Sequence, residues 1–229
     1  MKKYFLAAVS AMFIVLFSNS LKSQSWDCFE IADTLCSSIA WTQRVDTVPI
    51  IGYPGSYEIV IYKYKFCHGV WQVLYVDLNS FHFTDDLKAD MLNTNFDWPT
   101  YFGNIFKSLS EVFFKFVYDN TTSPLNEQYW CNGGGNFAQV SVYYASCWTV
   151  CLGWNSPTRP GPDKFKQVRC HASCCELARK YCYDQNTGQI ILLEEDVHPL
   201  FPNNIYCNPP EESPCFPGDQ VSIECITIC

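Results

Sequence analysis

Fourteen cysteines follow a hydrophobic N-terminal segment in this chain of 229 residues, and thiols are the side chains here with the clearest chemistry. Cysteines can pair as disulfides, hold a metal ion or act as nucleophiles. Lys2 and Lys3 precede an apolar run over residues 4–17, a pattern typical of a secretory signal that is cleaved near Ser23. An even number of thiols in an exported chain predicts a disulfide framework. The candidates are Cys28, Cys36, Cys67, Cys131, Cys147, Cys151, Cys170, Cys174, Cys175, Cys182, Cys207, Cys215, Cys225 and Cys229.

Geometry restricts how these cysteines can pair. On a strand, Cys147 and Cys151 lie about 13 Å apart, beyond the roughly 7 Å that a disulfide tolerates, so they need different partners. Neighbouring Cys174 and Cys175 point to opposite faces of a strand, which predicts two separate bridges. Three cysteines precede the polar segment 119–127 and eleven follow it. Since both numbers are odd, complete internal pairing requires a bridge across this segment, which favours one covalently tied unit.

A metal centre is the less favoured interpretation of the same residues. Cys170, His171, Cys174, Cys175 and Cys182 form the densest set of potential ligands, but zinc sites usually draw on paired Cys-x-x-Cys motifs, and the chain contains none. Haem attachment requires Cys-x-x-Cys-His, which is also absent. We therefore expect neither a metal nor another cofactor.

The remaining motifs do not favour an enzyme. No nucleophile elbow or zinc-protease motif accompanies the four histidines, and His68 fits a tight turn. The glycine-rich segment 131–136 lacks the Lys and Ser or Thr of a phosphate loop. The acidic groups at 194–196 and 211–212 lack the ligand spacing of a calcium loop. Asn120 starts an N-glycosylation sequence, which matters only in a host that modifies it.

Aromatic residues give the one lead toward a ligand. Seven Trp and fourteen Tyr in an acidic chain can form stacking platforms for sugars, although aromatics on strands more often fill a core. Trp148 and Trp154 are the candidates for glycan stacking.

Charge narrows the choice of partners. Removing Lys2, Lys3 and Lys22 with the signal changes the formal net charge from −8 to −11. Such an acidic surface repels nucleic acids and anionic lipids. No segment after the signal is apolar enough to predict a membrane span, so the mature chain is expected to be soluble.

The pattern of the chain predicts the elements that position these residues. Alternation over 57–66, the tight turn Cys67-His68-Gly69 and a second run over 70–77 predict a β-hairpin, with an earlier strand over 45–51. Thr84 begins a short helix, and apolar residues spaced by three and four from Phe102 to Phe116 predict a second one. A strand over 111–118 is the rival interpretation of the last part of that stripe.

Strand signals return after the polar segment. They cover 137–150, a hairpin over 176–195 that turns at Gln185-Asn186-Thr187-Gly188, and a terminal run over 221–229. A short helix over 175–182 is an alternative to the first strand of that hairpin. Six prolines between Pro199 and Pro217 indicate an extended connector.

The sequence thus predicts an α+β fold, mainly antiparallel β-sheet with one or two inserted helices and rich in disulfides. Residues 1–23 are expected to be a signal peptide, and residues 24–229 one crosslinked secreted domain. The expected role is that of an exported structural or interaction protein at the cell surface or envelope, without enzymatic activity and with a protein or glycan partner. A carbohydrate-binding module is the first alternative and an extracytoplasmic hydrolase is the second.

Overall fold

The computed structural model describes residues 28, 36–122, 125–131, 137–155, 161–169, 174–200, 215, 221–227 and 229, with only the backbone described at 221–227. Several predictions fall on other residues: the signal segment, Cys170, His171, Cys207, the side chain of Cys225, the glycine-rich turn, the acidic pair at 211–212 and most of the proline-rich connector. Among the described residues, none of the helices is long and apolar enough to cross a membrane.

Nine strands and two α-helices make up the described architecture, which is an α+β fold dominated by sheet. In chain order the elements are β1 (Thr42–Pro49), β2 (Tyr57–Cys67), β3 (Val70–His82), α1 (Asp85–Met91), α2 (Trp98–Asn120), a 3-10 helix (Leu125–Tyr129), β4 (Ala138–Ala145), β5 (Cys147–Gly153), β6 (Lys164–Arg169), β7 (Cys174–Asp184), β8 (Gln189–Pro199) and β9 (Val221–Thr227).

The strands form two sheets. Six of them pair in the order β1-β2-β3-β4-β7-β8, and three pair in the order β6-β5-β9. All described pairs are antiparallel except β3 with β4, which is parallel because α1 and α2 carry the chain back between them. The predicted strand over 137–150 is broken at Ser146, where the chain leaves the first sheet for the second.

The hairpin β2–β3 forms as predicted. His68 and Gly69 both have positive φ, at 50° and 83°, as a two-residue turn of this kind requires. Tyr62 is fully buried on the face toward α2. The opposite face is also covered, because Lys65 is buried, donates from Nζ to the Cys36 carbonyl at 3.0 Å and lies over the Trp41 ring.

Helix α2 packs against one face of the six-stranded sheet. Its apolar stripe continues to Val117, so the rival strand over 111–118 is wrong. Phe106 stacks on Tyr144 at 3.9 Å, Phe114 stacks on Tyr181 at 5.1 Å and Phe113 meets Tyr62 edge-on. Aromatic packing of this kind joins helix and sheet through one continuous core.

The strand predictions for the C-terminal half hold in outline. The hairpin β7–β8 turns at 185–188, where Gly188 has positive φ, and the helix considered for 175–182 does not form. Strand β9 pairs with β5. Strand β6 was not predicted, because its alternating lysines carry little apolar signal.

Disulfides link distant parts of this fold. The described pairs are Cys28–Cys174, Cys36–Cys67, Cys131–Cys182, Cys151–Cys215 and Cys175–Cys229, and Cys147 is also disulfide-bonded. Cys147 and Cys151 thus have different partners, and so do Cys174 and Cys175, both as predicted. Cys28–Cys174 is the bridge across segment 119–127 that the cysteine numbers require.

Candidate functional site

A cleft of about 270 Å³ opens where the β1–β2 turn meets the connection between α1 and α2. We call it the α1–α2 cleft. Its lining residues are Ile50, Ile51, Tyr53, Asp90, Asn93, Asn95, Phe96, Asp97, Thr100, Tyr101 and Asn104. Volumes near this size suit small ligands or one unit of a larger one.

Turns and helix ends place these side chains. Gly52 has a φ of 89°, which lets the chain reverse after β1 and present Tyr53. The Tyr53 hydroxyl donates to Asp90 Oδ2 at 2.8 Å, so it braces the turn against the end of α1. Burial, together with that hydrogen bond, raises the pKa of the Tyr53 phenol. The phenol therefore stays neutral and polar.

Asp97 begins α2. Its carboxylate accepts from the Thr100 backbone at 3.1 Å and from the Thr100 hydroxyl at 2.7 Å, which is N-capping chemistry. These hydrogen bonds lower the pKa of Asp97. The carboxylate is therefore ionised and already occupied by its own helix.

Tyr101 connects the cleft to a buried polar cluster. Tyr101 is one of the lining residues, and its buried hydroxyl donates to Glu58 Oε1 at 2.5 Å. The same carboxylate oxygen accepts from Gln167 Nε2 at 2.7 Å, and Gln167 Oε1 accepts from the Tyr75 hydroxyl at 2.8 Å. We call Glu58, Tyr75, Tyr101 and Gln167 the Glu58 cluster. It joins β2, β3, α2 and β6.

Glu58 is fully buried, and this burial raises the pKa of its carboxyl group to about 7, although the hydrogen bonds from Tyr101 and Gln167 oppose the shift. Glu58 Oε2 is buried and has no hydrogen-bond partner among the described residues. A protonated acid suits this environment, because an ionised carboxylate without a cation is costly to bury. Perturbed carboxyl groups often occur at functional sites.

Trp148 and Trp154 do not form an exposed platform. Trp148 is 2% exposed, stacks on Phe102 at 5.6 Å and donates its indole N–H to the Ala145 carbonyl. Trp154 is 5% exposed, packs on Phe83 and donates to the Lys88 carbonyl. The prediction of glycan stacking at these rings is corrected, since their faces and polar atoms are used in the core.

The histidines and cysteines do not converge on a reactive centre within the described residues. His68 lies in the hairpin turn, His82 stacks on Tyr57 and His198 faces Asp196 at 3.6 Å. Cys36 and Cys67 lie beside His68 within metal-binding distance, but they are joined to each other as a disulfide. A disulfide offers no thiolate to a metal.

Sequence reasoning missed both the α1–α2 cleft and the Glu58 cluster. The sequence signal for the cleft is Asn93-Thr94-Asn95-Phe96-Asp97, a polar connection with one aromatic residue between two helices. Glu58 gives no local signal, because only the docking of α2 and β6 shows that its face is covered. Compared with protein-family models, curated proteins and solved structures, the chain matches none of them.

Proposed function

We propose that this protein is an exported, non-enzymatic interaction protein that acts at the cell surface or envelope. The disulfide framework is the observation that supports this proposal most strongly. Bridges of this kind persist in oxidising compartments and limit local unfolding outside the cell. They tie the N-terminal segment to β7, β5 to Cys215 and β7 to the C-terminus.

The interaction role is supported by the α1–α2 cleft. Polar side chains that are exposed and rest on a crosslinked frame can bind a partner with little ordering cost. No thiolate, metal or ionisable pair is needed for such a role. The acidic net charge argues against nucleic acid and anionic membranes as partners.

The proposal is tested with the oxidised mature protein carrying a fluorescent label. We expect the label to remain on washed cells or envelope preparations of the producing organism, and native protein to be found in the extracytoplasmic fraction. A double variant, Asn95→Ala with Asn104→Ala, should reduce retention, while Gln189→Ala at the β7–β8 turn should not. Cytoplasmic location, or no retention of the wild-type protein, would contradict the proposal.

Glu58 keeps the extracytoplasmic hydrolase as a second candidate. An acid with a pKa of about 7 can act as a general acid or base if a substrate reaches it. Glu58 is fully buried, so this activity requires Tyr101 or Gln167 to move aside. A panel of glycoside and ester substrates decides: turnover that Glu58→Gln abolishes, with folding unchanged, would favour the enzyme.

A further inference from the structure

We propose that the α1–α2 cleft binds a neutral saccharide. This inference rests on the proposed interaction function and names the ligand class of its site. The side chains around the cleft combine amides, carboxylates and aromatic rings. Sugars present hydroxyl groups that both donate and accept hydrogen bonds, and C–H faces that pack on aromatic rings.

The amides supply the hydrogen-bonding capacity. In the described part of the chain, the side chains of Asn95 and Asn104 make no hydrogen bond, so their donors and acceptors are available to a ligand. Each amide offers two donors and an acceptor oxygen, which matches vicinal hydroxyls. Asn104 is half-buried on α2 and Asn95 is exposed on the connection, so they face the ligand from two elements.

The aromatic wall supplies the apolar contact. Phe96 is half-buried and is held by an edge contact with Trp98 at 4.7 Å and a tilted ring contact with Tyr101 at 5.9 Å. Tyr101 is fixed in turn by its hydrogen bond to Glu58. The Glu58 cluster therefore holds one wall of the cleft in place from inside the core. A rigid wall of this kind lowers the ordering cost of binding.

Charge distinguishes neutral sugars from other ligands. Asp90 and Asp97 lie at the cleft and none of its described lining residues is Lys or Arg, so sialic acids, uronic acids and sulfated sugars are repelled. A divalent cation is disfavoured for another reason. Asp97 already accepts two hydrogen bonds from Thr100 and Asp90 accepts one from Tyr53, whereas calcium needs six to eight free oxygen ligands.

The test is a glycan array of neutral and acidic oligosaccharides probed with the oxidised mature protein, followed by calorimetry on the best neutral ligand with and without EDTA. We expect neutral glycans to bind independently of calcium. Asn95→Ala and Asn104→Ala should each weaken binding about tenfold, the value of one or two hydrogen bonds. Gln189→Ala is the surface control and should bind as the wild-type protein does.

Three results would overturn the inference. One is preferential binding of acidic glycans, and another is stoichiometric calcium binding without glycan affinity. The third is cell-surface retention that persists while all glycans fail, in which case the interaction function stands and the saccharide assignment falls. If the wild-type protein shows neither cell-surface retention nor glycan binding, the proposed function itself is refuted. Circular dichroism and urea unfolding of the Asn95→Ala and Asn104→Ala variants, both unchanged from the wild-type protein, check that any loss of binding is not due to misfolding.

Discussion

At the scale of single residues, Glu58 and Lys65 are both buried, although residues of their charged types are usually exposed. The Lys65 ammonium group contacts the Cys36 carbonyl and the Trp41 ring inside the protein. Glu58 has hydroxyl and amide donors but no described cation, so its environment favours the protonated acid. The two buried side chains differ in their surroundings because different groups of the folded protein face each of them.

We predict that Glu58→Gln removes a pH dependence of stability. The carboxyl holds its proton up to a pKa of about 7 in the folded state, against 4.5 in the unfolded state. The folded protein therefore binds more protons between these values, and stability falls as pH rises from about 4.5 to about 7. This loss amounts to about 3 kcal/mol in the free energy of unfolding.

The measurement is urea unfolding of both proteins between pH 4 and pH 8.5. The variant should gain stability relative to the wild-type protein across that window and keep the gain at higher pH. A difference that does not change with pH would show that Glu58 is ionised in the fold. Tyr101→Phe is the companion variant, since loss of its hydroxyl should raise the folded pKa further and move the change to higher pH.

At the scale of elements, the sequence pattern predicted those elements whose form depends on neighbouring residues in the chain. The hairpin β2–β3 follows from alternation and turn chemistry, and the part of α2 after Phe102 follows from apolar residues three and four apart. The last part of that helix was ambiguous because its aromatic and β-branched residues also suit a strand. Packing against the sheet decided in favour of the helix, since Phe114 meets Tyr181 there.

Other elements depended on partners that are distant in sequence. Strand β6 is held by pairing with β5 and by the contact of Gln167 with Glu58, neither of which its own lysine-rich pattern reveals. The break at Ser146 and the parallel pairing of β3 with β4 have the same origin. The sequence predicted less of the candidate site than of the fold, because a cleft forms between elements and its residues are scattered in the sequence.

Arg179 on β7 provides a test of how α2 docks on the sheet. Its Nη1 donates to the Lys107 carbonyl at 2.9 Å and to the Tyr181 hydroxyl at 2.6 Å, and its Nε pairs with Glu195 at 3.0 Å. We predict that Arg179→Ala lowers the free energy of unfolding by about 2 kcal/mol, because it removes two hydrogen bonds of a buried guanidinium and its packing against the Tyr181 ring.

The matched control is a residue on the exposed face of α2. Lys115→Ala breaks an i,i+4 ion pair with Asp119, and both side chains are at least half exposed. This change should cost at most about 0.5 kcal/mol. Chemical denaturation of the two variants side by side is the measurement. Equal effects of the two substitutions would mean that the Arg179 network does not dock the helix.

At the scale of the whole molecule, disulfides join regions that no single sheet joins. Within the described residues none of the cysteines is free. We predict that the other cysteines are also oxidised, so the intact mass should rise on reduction by fourteen hydrogens, one for each thiol in the chain. Alkylation of two or more cysteines in the unreduced, denatured protein would refute complete oxidation.

The final prediction concerns how the two portions of the chain are held together. Thr122, just after α2, lies on the surface and Leu125 is 61% exposed, so a protease should cut near these residues. Only Cys28, Cys36 and Cys67 precede these residues, and the last two pair with each other. Cys28–Cys174 is then the single covalent link across the cut.

We expect the nicked protein to migrate as one species on a denaturing gel without reductant and as two fragments with it. In a Cys28→Ser, Cys174→Ser double variant, the fragments should separate without reductant, because the link across the cut has been removed. A Cys36→Ser, Cys67→Ser double variant is the control and should stay joined, since its lost bridge lies wholly on one side. If the first double variant stayed joined as well, a different pairing would have to cross the cut, and the assignment of Cys28 to Cys174 would be wrong.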